Sequence, residues 1–233
     1  MLQHLELRLP DPCLVVLVGP AGAGKTTFAA RHFAPDEVLS SDAYRALLAG
    51  DPTDQRATAP AFAALHRALR HRLSRRLLTV VDATSAGPHD RRPLLAAAAA
   101  AGVVAVAIVL DLPEETVLAR NRSRGELAVP EAAVRRHLAR VAASLREPGL
   151  AAEGFTTVIV VREPAAVEAL RVVRVVSAGD GSPASRVAAE QAGRVTPPLA
   201  RGRADPDQHD GEDREHDPGE VAPCDALMQE RQR

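Results

Sequence analysis

The sequence predicts an α/β domain: a parallel sheet of about five strands between two layers of helix, three layers in all, followed by a disordered acidic tail. Three observations carry that expectation. Apolar, β-branched runs alternate with helix-period stretches over the first 176 residues, as when buried parallel strands are joined by crossover helices. A glycine-rich turn, Gly19-Pro-Ala-Gly-Ala-Gly-Lys-Thr26, joins one apolar run directly to a helical stretch. After residue 176 the texture changes to Pro, Gly, Ser and mixed charge, with few large apolar residues. Such a segment buries too little surface to offset its ordering entropy.

The elements follow in order. Candidate strands are Cys13–Val18, Glu37–Ser40, Leu77–Asp82, Val103–Leu110 and Thr156–Val161. Between them, Lys25–His32 and Asp42–Ala49 follow strands directly. Thr58–Arg76 sets Phe62, Leu65, Leu69 and Leu73 on one face. Pro88–Ala101 is Ala-rich and stops at Gly102, a helix-ending residue. Pro113–Arg122 opens with Pro-Glu-Glu, which suits a helix start. Pro130–Leu145 aligns Val134, Leu138, Val141 and Leu145. The division expected is residues 1–176 as one folded domain and 177–233 as the tail.

Composition excludes several classes. Of 233 residues, 46% are hydrophobic and 25% charged. A core of roughly 150 residues buries about 70% of its unfolded surface and needs no staple. The two cysteines, Cys13 and Cys224, lack any C-x-x-C spacing, which argues against a disulfide framework or a zinc ribbon. The apolar run Leu94–Leu110 is mostly Ala and is interrupted by Gly102, short of the roughly 20 strongly apolar residues of a membrane span. Glu6 and Arg8 interrupt the N-terminal apolar residues, unlike a signal peptide. The expectation is a soluble, cytoplasmic protein without a membrane partner. The net charge of −1 conceals a split, since residues 177–233 hold 7 basic and 12 acidic side chains. The remainder is therefore basic.

Lys25 is the only lysine in the chain. It falls on the lysine of G-x-x-x-x-G-K-[ST], after an apolar strand and at the start of a helix, the context that motif requires. Gly19, Pro20, Ala21, Gly22, Ala23, Gly24, Lys25, Thr26 and Thr27 are therefore candidate nucleotide-binding residues. Glycines let backbone N–H groups close on phosphate oxygens, and the helix N-terminus adds positive potential. Lys25 would contact the β- and γ-phosphates, and Thr26 would hold Mg²⁺ through its hydroxyl. The motif signals ATP binding in a P-loop NTPase sandwich and leaves the acceptor open.

Asp42 lies just after the second strand, on the sheet edge that bears the glycine-rich turn. A carboxylate there can accept a proton from an attacking hydroxyl or act as an ordinary helix cap. Arg45, three residues on, shares its helical face and could hold an anionic acceptor. Arg120, Arg122 and Arg124 precede Gly125. They read either as a lid over a transferring phosphoryl group or as a basic helix end. Asp82, closing the third strand, either assists Mg²⁺ or caps the strand. Arg67, Arg70, Arg72, Arg75 and Arg76 form a basic helix stretch that could contact nucleic acid or simply face solvent. His66, His71 and His137 show no metal-ligand spacing.

These residues in order (G-P-A-G-A-G-K-T-T-F-A-x-x-H-F, then E-V-L-S-S-D-x-x-R, V-V-D-A-T and R-N-x-R) resemble the N-terminal 5′-kinase domain of bacterial polynucleotide kinase-phosphatases. More broadly the chain looks like the AAA-type P-loop kinase group that includes phage polynucleotide kinase. The resemblance spans about Cys13 to Val176. It implies transfer of the ATP γ-phosphoryl group to a 5′-OH end of DNA or RNA with Mg²⁺. In that reading Asp42 activates the hydroxyl, Arg45 engages the acceptor phosphate, and Arg120 and Arg124 contact the donor phosphates. The family's D-A-T is usually followed by Asn, where this chain has Ser85. The metallophosphatase and ligase-like domains that follow in the bacterial repair proteins have no counterpart in this sequence. A small-molecule kinase and a non-catalytic ATP-binding regulator are the alternatives.

Overall fold

In the structure, a computed structural model, residues 6–51, 55–146 and 148–176 are described. All of them fall in one compact unit. The expected tail, 177–233, lies outside the described residues.

The central sheet is built from β2 (Cys13–Val18), β3 (Val38–Ser40), β4 (Thr79–Asp82), β5 (Val104–Leu110) and β6 (Thr157–Val161). Its order is β3-β4-β2-β5-β6 and all four pairings are parallel. β2 is central and buried on both faces. Its alternate residues serve two cores. Leu14, Val16 and Val18 pack with Leu65, Leu69 and Leu73 of α3 (Thr58–Ser74), Leu94 and Ala98 of α4 (Pro88–Ala100), Val141 of α6 (Glu131–Ser144) and Leu150 of α7 (Gly149–Glu153). Cys13, Val15 and Leu17 pack on the other side with Phe28 and Ala29 of α1 (Lys25–His32) and with Ala166 and Val167 of α8 (Pro164–Ala169). The period-2 side-chain alternation of a strand thus becomes a three-layer molecule. α2 (Ser41–Ala49) and α5 (Glu114–Arg122) complete the helices.

The five expected strands are all present, within two residues of the expected bounds. The six expected helices are present too. A second, two-stranded parallel sheet was not legible: β1 (Glu6–Asp11) pairs with β7 (Arg171–Val176). Its inward residues, Leu7 and Leu9, join the α1 side of the core. Glu37 holds it in place by accepting two bonds from Arg174, at 2.7 and 2.6 Å.

The basic stretch of α3 ends far from the glycine-rich turn, because the helix returns the chain to the start of β4. Arg72 donates to the Leu78 carbonyl at 3.0 Å and to the Thr79 hydroxyl at 3.2 Å. It is a clip between helix and strand, while Arg67, Arg70, Arg75 and Arg76 face solvent.

Candidate active site

All strands of the central sheet run the same way, so the loops after β2, β3, β4 and β5 meet along one edge. A cleft of about 780 Å³ opens there. The structure brings Lys25, Thr26, Thr27, Asp42, Arg45, Asp82, Arg120 and Arg124 into its lining. Gly22 and Gly24 line it as well, whereas Gly19, Pro20 and Ala23 lie behind as the frame of the loop.

Gly22 is required by packing and conformation together. It has φ +86°, and a Cβ there would sit 2.4 Å from the Val117 carbonyl oxygen and 3.0 Å from the Asn121 amide of α5. Close apposition to α5 carries Arg120 over the loop, with its Nη1 3.7 Å from where a Cβ on Gly24 would lie. The loop start is tied to the strand beside it by Gly19 N–H donating to the Thr84 carbonyl at 3.2 Å.

Lys25 donates from Nζ to the carbonyls of Gly19 at 2.8 Å and Pro20 at 2.9 Å. Burial pulls its pKa down from 10.5 to about 8, against the opposing pull of Asp82 and Asp42. Thr26 donates its hydroxyl to Asp82 Oδ2 at 2.8 Å. Burial raises the Asp82 carboxyl above its usual value, while the Thr26 bond and the Lys25 charge work the other way. Hydroxyl and carboxylate together form an oxygen donor set at the mouth of the loop, chemistry that suits Mg²⁺.

Across the cleft, Ser40 caps α2 by accepting from the Ala43 amide at 3.4 Å. Asp42 therefore does not serve as the cap. It is ion-paired with Arg45 one turn on. Asp42 is half exposed at 52%, whereas Arg45 is 14% exposed. The carboxylate is thus available at the rim and close enough to Lys25 to be felt by it.

The opposite wall begins at α5. Arg120 and Arg124 line the cleft, whereas Arg122 turns away to Glu131 at 2.9 Å. The segment between α5 and α6 is closed by Asn121, which is buried. Its Nδ2 donates to the Val129 carbonyl at 2.7 Å, and its Oδ1 accepts from the Val129 amide at 3.1 Å. That brace fixes the loop bearing Arg124. Its signal was the polar residue between two arginines, facing the core side of α5.

A second element escaped the sequence. Arg91 is fully buried on α4. It donates from Nε and Nη2 to Glu153 of α7 at 2.8 and 2.6 Å, from Nη1 to the Ser85 carbonyl at 2.7 Å, and from Nη2 to the Ser144 hydroxyl at 2.8 Å. Ser144 in turn donates to the Ala86 carbonyl at 3.2 Å. The loop carrying Thr84 into the cleft is thereby pinned from behind. Ser85 has φ +43°, a region where Asn is better tolerated than Ser. The bonds at this turn are made by its backbone carbonyl.

The family model described as "AAA domain" matches residues 14–148, more than half of the chain. No curated protein matches it. Among solved structures, a Pnkp1/Rnl/Hen1 RNA repair complex is 16% identical, covering 78% of this chain and 85% of that one, with a TM-score of 0.51. A candidate kinase from Chloroflexus aurantiacus is 18% identical over 65% of this chain and 85% of its own, with a TM-score of 0.48. A gluconokinase from Sinorhizobium meliloti 1021 is 17% identical over 81% and 100%, with a TM-score of 0.44. The first of these likenesses is one of fold alone.

Proposed function

The chain belongs to the AAA domain family, and we propose that it is an ATP-dependent polynucleotide 5′-hydroxyl kinase. The kinase-like P-loop fold is common ground for many acceptors. One observation carries the choice: the Asp42–Arg45 pair stands at the cleft rim opposite the phosphate loop. A carboxylate beside an arginine matches a hydroxyl that sits beside a phosphate, which is the local chemistry of a polynucleotide end. A module that only binds ATP has no use for it.

In this reading the ATP phosphates lie along the loop, and Lys25 moves its ammonium from the Gly19 and Pro20 carbonyls to the β- and γ-oxygens. Thr26 and Asp82 would hold Mg²⁺, which supplies charge neutralisation on those oxygens. Asp42 takes the proton of the 5′-hydroxyl as its oxygen bonds to the γ-phosphorus. The bond from that phosphorus to the β–γ bridging oxygen breaks, and ADP leaves with the electron pair. Arg45 fixes the acceptor phosphate by charge-assisted bonds. Arg120 and Arg124 meet the developing charge from the other wall, a role worth about 10³ to 10⁵ in rate. No helix among the described residues is long and apolar enough to cross a membrane, and we take the cytoplasm as the place of this reaction.

The test is label transfer from γ-labelled ATP to 5′-OH DNA and RNA oligonucleotides with Mg²⁺. Transfer is expected, and Asp42→Ala lowers it by about 10²-fold or more while ATP binding persists, as for loss of a general base. Retained ATP binding with no transfer to either nucleic acid overturns the assignment and points to a small alcohol, such as a sugar, as acceptor.

A further inference from the structure

A second cleft, of about 720 Å³, lies beside the head of α4. Arg140, Ala143 and Ser144 of α6 form one wall, and Gly87 to Asp90 form another. It shares no lining residue with the first cleft, yet α6 joins the two. Pro130, at the start of α6, lines the first cleft, and Arg140 lines the second. Positions 130, 133, 137, 140 and 144 fall on one helical stripe by their three- and four-residue spacing. At 1.5 Å per residue the stripe is about 20 Å long. His137, midway, is close enough to Lys25 of one cleft and Asp90 of the other to feel both charges.

The charges along this path are uneven. Arg136, Arg140 and Arg146 are exposed, and none of their guanidinium groups makes a hydrogen bond or ion pair with a described residue. Among the described residues, the nearby acids are engaged. Glu153 accepts two bonds from Arg91. Asp90 accepts from the Gly87 amide at 3.0 Å and lies 3.9 Å from His89. The free potential is positive and spaced along a line, which fits a chain of phosphates rather than one anion. α3, the other basic helix, offers no such path, because its arginines end at the far edge of the sheet.

We propose that the sugar–phosphate backbone of the acceptor leaves the phosphoryl-transfer cleft along α6 and enters the second cleft, held by Arg136, Arg140 and Arg146. This rests on the polynucleotide reading and adds a path and a length requirement. The reacting end alone occupies the first cleft, and nucleotides behind it occupy the second.

The experiment compares a 5′-OH 12-mer with a 5′-OH dinucleotide as acceptor, and measures 12-mer binding by fluorescence anisotropy across salt concentrations. The full chain is used, with the triple variant Arg136→Ala, Arg140→Ala, Arg146→Ala. Arg75→Ala with Arg76→Ala, at the far sheet edge, is the charge-loss control. Wild type is expected to favour the 12-mer by at least about tenfold in KM at low salt. The triple variant loses that advantage, and its slope of log K against log salt is shallower by about 2, near 0.7 per phosphate contact on a single strand. The control keeps both. All three proteins are compared at matched unfolding midpoints, since exposed substitutions of this kind cost little. Transfer to both acceptors with no length preference, or a triple variant with the wild-type slope, overturns this inference and leaves the kinase reading standing. Transfer to no oligonucleotide of either length overturns both.

Discussion

Lys25 is buried where it is most needed as a cation. Burial lowers its pKa to about 8, and only the nearby carboxylates of Asp82 and Asp42 oppose that shift. The folded protein therefore holds this lysine about half neutral near pH 8, while the unfolded chain keeps it protonated up to about 10.5. Where the unfolded state binds more protons, stability rises with pH, so this group favours folding more as pH climbs from 8 to 10.5. Binding of a triphosphate has the opposite need, since it recruits the ammonium form. ATP binding at pH 8.5 is expected to take up protons, and affinity to fall as pH rises above 8. Calorimetry in two buffers of different ionisation enthalpy reads the proton count directly. A lysine with an ordinary pKa would give zero uptake at that pH.

At the scale of elements, the Arg91 clamp ties α4, α6 and α7 to the loop after β4. Removing one member of a buried ion pair leaves the other charge uncompensated, at a cost of about 3 to 5 kcal/mol. Arg91→Ala is therefore expected to lower the unfolding midpoint by roughly 10 °C, using about 2 to 4 °C per kcal/mol for a chain of this size. Denaturant titration checks the free energy, and a loss below about 1 kcal/mol would mean that the pair is dispensable. Arg91 was illegible in the sequence because it stands next to Arg92, and nothing local tells an inward arginine from an outward one. Glu153, its partner, is 62 residues away. The elements with a signal of their own were legible: β2 by its unbroken apolar run, and the helices α3 and α6 by their apolar stripes. The phosphate loop was legible because its chemistry is local, as was the order of Asp42, Arg45, Arg120 and Arg124. What failed was non-local. β1 and β7 are each six residues long and pair across the whole of the intervening sheet, so neither segment carries a local sign of its partner. The helices α7 and α8, of five and six residues, span too few turns to show a period.

For the whole molecule, the long-range pairing of β1 with β7 decides where the folded unit has to end. Among the described residues β7 is the strand that pairs with β1. Together with Leu170 it covers Leu7 and Leu9 in the α1-side core, and its Arg174 holds Glu37 ahead of β3. A chain ended after Ala169 leaves Leu7 and Leu9 without that cover. Burial of such side chains is worth about 1.5 to 3 kcal/mol each, so the midpoint should drop by roughly 10 °C or more on the same conversion. A chain ended after Val176 keeps every one of these contacts. It is expected to unfold within about 2 °C of the full chain and to bind ATP with the same affinity, because no described residue of the cleft lies beyond Glu168. Thermal unfolding of the full chain and the two shortened ones separates the cases. Equal loss in both would place stabilising contacts in residues 177–233 and move the domain boundary past 176.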